Sequence, residues 1–333
     1  MPKIRYSDQV VSPVKAKIIA QANAIIREYQ AQGFTLTLRQ IYYQFVARDL
    51  IPNRVQEYKR LGGIIDDGRM AGLIDWDAIV DRTRELEKVS HWDDPADVVK
   101  SAASSFRIDK WAEQGKRIEV WVEKEALAGI MERACVPLDV PYLSCRGYVS
   151  QSEMWGASIR LRAFERAGQK VTILHFGDHD PSGMDMSRDI ENRLGIFGVR
   201  ALDFRRLALN TDQIERYNPP PNPAKVTDSR FEAYEREYGD ESWELDALDP
   251  NVLVGLVRRE VLELRDQDAW DEAVTKEEDA RARLRVAAEQ WGDIASTLDE
   301  DRVEEEIEEG TAERKAEDEE ADRLMELADG DDS

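Results

Sequence analysis

Three acidic residues stand where strand-like runs end. Glu123 follows the apolar run 118–122 (IEVWV), and Asp178 and Asp180 follow the run 171–176 (VTILHF), within GDHDPSG. Both runs are too short for a helix and rich in β-branched and aromatic residues, as buried parallel strands are. In open α/β sheets ligands gather beyond the carboxyl ends of the strands, so carboxylates there are placed to hold Mg²⁺, one ion or two, with water and phosphate oxygens completing the shell. Three acids in one place repel one another unless a cation joins them. An Asp-x-Asp after a strand also serves as a plain turn and helix cap. Pro181 and Gly183, which fix a tight loop onto the next helix, and Glu123 from a separate strand favour the metal, and with it phosphodiester chemistry.

The elements that must position these acids alternate. Strand 118–122, helix 126–135, strand 142–144, helix 152–167, strand 171–176, helix 184–194 and strand 199–204 spell an α/β domain with a mostly parallel sheet and helices on its faces. The proline-rich run 218–223 reads as a surface loop, and 243–248 with 251–264 as a closing helical section. Upstream, Ser12-Pro13 is a cap-then-proline helix start, and apolar residues recur at helical spacing up to Gly33. Thr37 with Gln40 forms a capping-box pattern, and a third amphipathic helix runs through Tyr58 and Leu61 to Met70. Three helices followed by a strand-like or hairpin segment over 73–80 read as a winged-helix module. The domain organisation expected is therefore a winged helix over 1–85, a helical connector over 86–117, the sheet domain over 118–266 and an acidic, helical or disordered tail over 267–333.

Composition narrows the class. The chain has 333 residues, 42% of them hydrophobic, which is enough to bury proper cores. Cys135 and Cys145 are its only cysteines, no apolar signal segment follows Lys3 and Arg5, and no stretch has the length of a membrane span. A cytoplasmic protein with free thiols is expected. The net charge of −23 argues against nucleic acid until its distribution is read. Residues 1–200 carry 29 Lys and Arg against 28 Asp and Glu, while residues 201–333 carry 17 against 41, so the acidity belongs to the C-terminal third. Residues 1–50 carry 7 basic against 3 acidic residues, which suits a face that meets phosphates.

VEKEA with Glu123, the Arg146-Gly147-Tyr148 turn and GDHDPSG with Asp178, Asp180, Pro181 and Gly183 resemble the Toprim domain of type IIB topoisomerase A subunits and the related meiotic double-strand-break proteins. Arg39-Gln-Ile-Tyr42-Tyr43 resembles the arginine-to-tyrosine motif in that family's winged-helix domain. The resemblance covers roughly residues 12–265, and winged helix before Toprim is the family order. It implies a compact topoisomerase-VI-A-like enzyme that binds double-stranded DNA, with the metal on Glu123, Asp178 and Asp180. Tyr43 then attacks DNA to leave a 5′-phosphotyrosyl link, Arg39 stabilises the phenolate or the phosphate, and Arg48, Lys59, Arg60 and Arg146 face the DNA. Cutting both strands implies a homodimer in which each tyrosine faces the partner's metal site, on the nucleoid. A separate ATPase B-like subunit belongs to the same picture, although Tyr43 lies closer to the N-terminus than in full-length A subunits.

Two other readings stay open. In one, a Toprim endonuclease hydrolyses DNA with metal-activated water, like the nuclease subunits of plasmid-defence complexes that the chain also resembles, and Tyr42 and Tyr43 are packing aromatics. In the other, the chain is a non-catalytic winged-helix DNA-binding protein. No Walker-type glycine-lysine loop occurs, so ATP hydrolysis is not encoded here.

Overall fold

The structure is a computed structural model and describes residues 3–8, 11–80 and 89–329. Residues 81–88, where the expected winged-helix domain and connector join, and residues 330–333 of the tail lie outside the described residues. In chain order the elements are α1 (Pro13–Ala31), α2 (Leu38–Ala47), α3 (Val55–Met70), α4 (Pro95–Ser105), β1 (Lys116–Val122), α5 (Ala128–Cys135) and β2 (Tyr142–Ser144). There follow α6 (Gln151–Arg166), β3 (Lys170–Phe176), α7 (Pro181–Ile196), β4 (Leu202–Ala208), α8 (Thr211–Tyr217), β5 (Asn222–Pro223), α9 (Phe231–Tyr238) and β6 (Glu241–Ser242). The last are α10 (Pro250–Leu264), α11 (Gln267–Glu289), α12 (Trp291–Ala295) and α13 (Glu300–Asp329). One compact unit comprises Met1–Glu87 and Asp109–Asp271, and a second comprises Lys88–Ile108 and Glu272–Ser333.

In the first unit the helix starts follow from side-chain chemistry. Ser12 accepts from the Lys15 N–H and Pro13 opens α1, where a missing N–H costs nothing. Thr37 and Gln40 satisfy each other's backbone N–H groups at 2.9 and 3.3 Å and so fix the start of α2. Ile25, Tyr29, Ile41, Phe45, Leu61 and Ile65 close a core among α1, α2 and α3. The segment after α3 is not a hairpin. Asp75 caps a 3₁₀ turn at Trp76–Ala78, and the extended pairing there consists of isolated bridges, antiparallel from Arg5 to Ala71 and parallel from Leu36 to Ile79.

The sheet of this mixed α/β fold has four strands, all parallel, in the order β2-β1-β3-β4. From β1 the chain steps outward to β2, and from β3 it steps the other way to β4, so the order reverses between β1 and β3. That reversal opens a crevice at the carboxyl ends of these two strands. Val122 is in register with Phe176, so the residues after both strands emerge side by side. Trp121, Val171 and Ile173 pack under Met154, Leu161, Ile190 and Leu194 of α6 and α7, while α5 and α10 lie against β1.

Two elements sit differently from the hydropathy pattern. β4 begins at Leu202 rather than 199, because the Val199 N–H returns to the Leu194 carbonyl (3.0 Å) and completes the α7 terminus after Gly198. The proline-rich run is tied down: Asn222–Pro223 pairs with Glu241–Ser242 as a two-stranded antiparallel ribbon. In the second unit, Glu277 accepts from the Ile108 N–H (3.0 Å) and Arg281 donates to the Phe106 carbonyl (2.9 Å), joining the end of α4 to α11. Among the described residues no helix is long and apolar enough to cross a membrane.

Candidate active site

Glu123 is the first residue after β1, and its N–H still bonds to the Phe176 carbonyl (2.8 Å). Its Oε2 accepts the N–H of Asp178 (2.9 Å), so the two acids share the crevice. Asp180 caps α7: its Oδ1 accepts from the Gly183 N–H (2.6 Å) and the Ser182 hydroxyl (3.0 Å). A Cβ at Gly183 would stand 2.3 Å from the Asp178 carbonyl oxygen, so only glycine lets the helix start this close to the loop. Arg206, from β4, straps the same loop. It donates to the carbonyls of Gly177 (3.0 Å), Asp178 (2.6 Å) and Gly183 (3.0 Å) and to the Ser187 hydroxyl (2.6 Å). His179, between the two aspartates, is 1% exposed and bonded through Nδ1 to the Tyr234 hydroxyl (2.7 Å). Burial and the Arg206 cation push it down to about 4. It is a neutral packing residue, closed to DNA.

Three further charged residues complete the site, and sequence reasoning missed them all. His179 and Trp243 exchange backbone hydrogen bonds of 2.8 and 2.9 Å, which lays Trp243 and Glu244 beside the acid loop, just before a short 3₁₀ turn at Leu245–Ala247. Asp178 Oδ1 then accepts the Leu245 N–H (2.8 Å), and Glu244 and Asp246, on either side of Leu245, both reach Lys124. Lys124 Nζ lies 2.9 Å from Asp178 Oδ1, 2.6 Å from Glu244 Oε2 and 2.9 Å from Asp246 Oδ1. The available signals were acids alternating with buried apolar residues in WELDAL and a lysine directly after Glu123.

Arg39 of α2 reaches the same acids. It pairs with Glu244, and its Nε lies 2.7 Å from Asp246 Oδ2, an ion pair at contact distance but off the hydrogen-bond direction. Its guanidinium stands 5.8 Å from the centre of the Tyr43 ring, one turn along the helix. Tyr43 is 4% exposed; burial pushes its hydroxyl pKa up, the charges of Asp246 and Asp178 add to the rise, and Arg39 opposes it. Tyr43 thus lies within the field of Asp246 and Asp178 of its own chain. Tyr42 is tied elsewhere, through its hydroxyl to Asn53 (2.9 Å) and the Arg54 N–H (2.8 Å).

Two clefts flank Arg39. One, about 410 Å³, is bounded by Arg39, Tyr42, Tyr43, Tyr58 and Glu244, and the other, about 430 Å³, by Arg39, Glu123, Lys124, Glu125 and Arg146. Arg146 is exposed and paired with Glu125 at that rim. Arg48, paired with Glu28, Arg60, paired with Glu57, and Lys59 are exposed and line neither cleft.

Burial first and the Asp178 charge second push Glu123 up to about 7. Asp178 is also raised by burial, against the pull of Lys124. These are carboxylates short of positive charge. Glu123 Oε1, Asp178 Oδ2 and Asp180 Oδ2 accept no hydrogen bond from the described residues, and such hard oxygens suit Mg²⁺. As the side chains stand, no three His, Cys, Asp or Glu among the described residues converge on one point. Burial also raises the thiols of Cys135 and Cys145 to about 12, as inert apolar packing requires. No protein-family model matches the chain, and no curated protein matches it.

Proposed function

We propose that this chain cleaves DNA with Mg²⁺ held by Glu123, Asp178 and Asp180 and with Tyr43 as nucleophile, as a topoisomerase-VI-A-like enzyme built from a winged-helix and a Toprim domain. One observation carries the reading. Arg39 and Tyr43 on α2, distant in sequence from the acid loop, join it through a continuous ionic network: Arg39 to Glu244 and Asp246, and Lys124 from these to Asp178. In the reaction the Tyr43 oxygen forms a bond to phosphorus as the bond to the 3′ oxygen breaks, leaving a 5′-phosphotyrosyl link. The phenol proton needs an acceptor, and the acids acting on that hydroxyl are Asp246 and Asp178. Arg39 supplies positive charge to the phenolate and the phosphate. A bound Mg²⁺ would neutralise the phosphate and the departing 3′ oxygen.

One chain offers one such tyrosine, so a homodimer on double-stranded DNA would cut both strands, each with its own set of residues. Work on DNA places the protein on the nucleoid in the cytoplasm, with an ATPase of the B-subunit kind as a further partner if strand passage follows cleavage. The burial of Tyr43 favours a second reading, because a hydroxyl with a raised pKa is a worse nucleophile. In that reading metal-activated water hydrolyses the phosphodiester and Tyr43 packs.

Supercoiled plasmid with Mg²⁺, stopped with denaturant and analysed with and without protease, tests both. Linear DNA that enters the gel only after protease, and none from Tyr43→Phe, is the result expected. Undiminished cutting by Tyr43→Phe with free ends transfers the chemistry to water. An intact plasmid with wild-type protein rejects both.

A further inference from the structure

The acids of the crevice fall into two sets. Glu244 and Asp246 are closed by fixed cations: Glu244 Oε2 is shared by Lys124 and Arg39, and Asp246 gives Oδ1 to Lys124 and Oδ2 to Arg39. Asp246 is fully buried at its side chain, so those two cations are its only counter-charge at contact distance among the described residues. Among the described residues Glu123 and Asp180 meet no cation at contact distance, and one oxygen of each is left over after their hydrogen bonds to backbone and Ser182. Asp178 belongs to both sets. Its Oδ1 touches Lys124 while Oδ2 accepts nothing from the described residues.

A carboxylate shared between two cation positions is the layout of two-metal phosphodiester sites, whose ions stand about 4 Å apart. Resting on the metal site proposed above, we infer that Lys124 permanently fills one of these two positions, so that each chain takes a single divalent ion. The ammonium fits that position in number and in length. Lysine has three N–H donors, and three carboxylate oxygens surround Nζ at 2.6 to 2.9 Å. Those are ammonium-to-oxygen distances; Mg²⁺ would draw its ligands in to about 2.1 Å. Lys124 donates hydrogen bonds to Glu244 and Asp246 and meets Asp178 as an ion pair. It acts as a fixed charge that holds Asp178, Glu244 and Asp246 together and leaves Asp178 Oδ2 turned to the open position.

The test counts Mn²⁺ bound to the full-length protein, by calorimetry and by the loss of the free-ion paramagnetic resonance signal. Wild type and Lys124→Arg should bind a single ion per chain, and Lys124→Met a second, at the position the ammonium leaves. Two ions on wild type, or no gain in a Lys124→Met protein with wild-type circular dichroism, overturns the inference and leaves the metal site standing. No ion on wild type overturns both together. Should Lys124→Met fail to fold, the wild-type count alone decides.

Discussion

Glu123, Asp178, Glu244 and Asp246 crowd the end of two strands, whereas Glu304, Glu305, Glu306, Glu308 and Glu309 follow one another along α13, every one exposed. Both regions are acidic, and α13 holds more of the charge. At the sheet end each acid has a bonded partner, and burial shifts the titration of Glu123 and Asp178. Along α13 water screens the charges and each contributes little. A count of acids therefore locates solvation and not chemistry. What distinguishes the crevice is that few charges, in a medium of low effective dielectric, must find counter-charges within a bond length.

The contrast is broken most directly at Asp178. Asp178→Asn keeps the acceptor for the Leu245 N–H and removes only the charge, and plasmid cleavage should fall by a factor of about 10³ or more, about 4 kcal/mol of barrier. Arg39→Ala comes next. It takes one of two counter-charges from buried Asp246, and the half-exposed position of Arg39 moderates the cost, so urea titration should show a loss of about 2 kcal/mol.

Glu123 sharpens the contrast through pH. Its folded value of about 7 lies above the ordinary 4.5, so the folded chain keeps a proton that the unfolded chain releases. Without divalent ions, the stability tied to this group is full below about 4.5 and is lost as pH climbs through about 7. The melting temperature in a chelator should fall across that window, and the fall should be smaller in Glu123→Gln. Mg²⁺ affinity should rise over the same window as the carboxylate ionises. The smallest effect belongs to α13, where Glu305→Gln should change stability by no more than about 0.5 kcal/mol in urea.

Much of the frame was legible because its signals are local. Ser12-Pro13, the Thr37–Gln40 box and the β-branched runs before Glu123 and Asp178 each act within a few residues, and the helices start and the two strands end where these signals place them. Glu244 and Asp246 were not legible as site residues. Their segment does turn helically, as a 3₁₀ turn at Leu245–Ala247, but what sets it against the acid loop is the bridge between His179 and Trp243, a pairing distant in sequence. Lys124 was hidden for the same reason, since its partners come from two other segments. Asp180 combines the two meanings its motif allows, capping α7 with one oxygen and keeping the other.

Arg206 gives the acid loop a thermodynamic history. One guanidinium holds the carbonyls of Gly177, Asp178 and Gly183, so this stretch surrenders its backbone freedom when the chain folds. Ordering a residue costs about 1 to 2 kcal/mol, and here that cost falls on folding and not on the arrival of a ligand. Binding at Asp178 should accordingly carry little ordering entropy. Replacing Arg206 would move the cost from the first event to the second, weakening affinity through entropy while leaving every acidic oxygen in the chain.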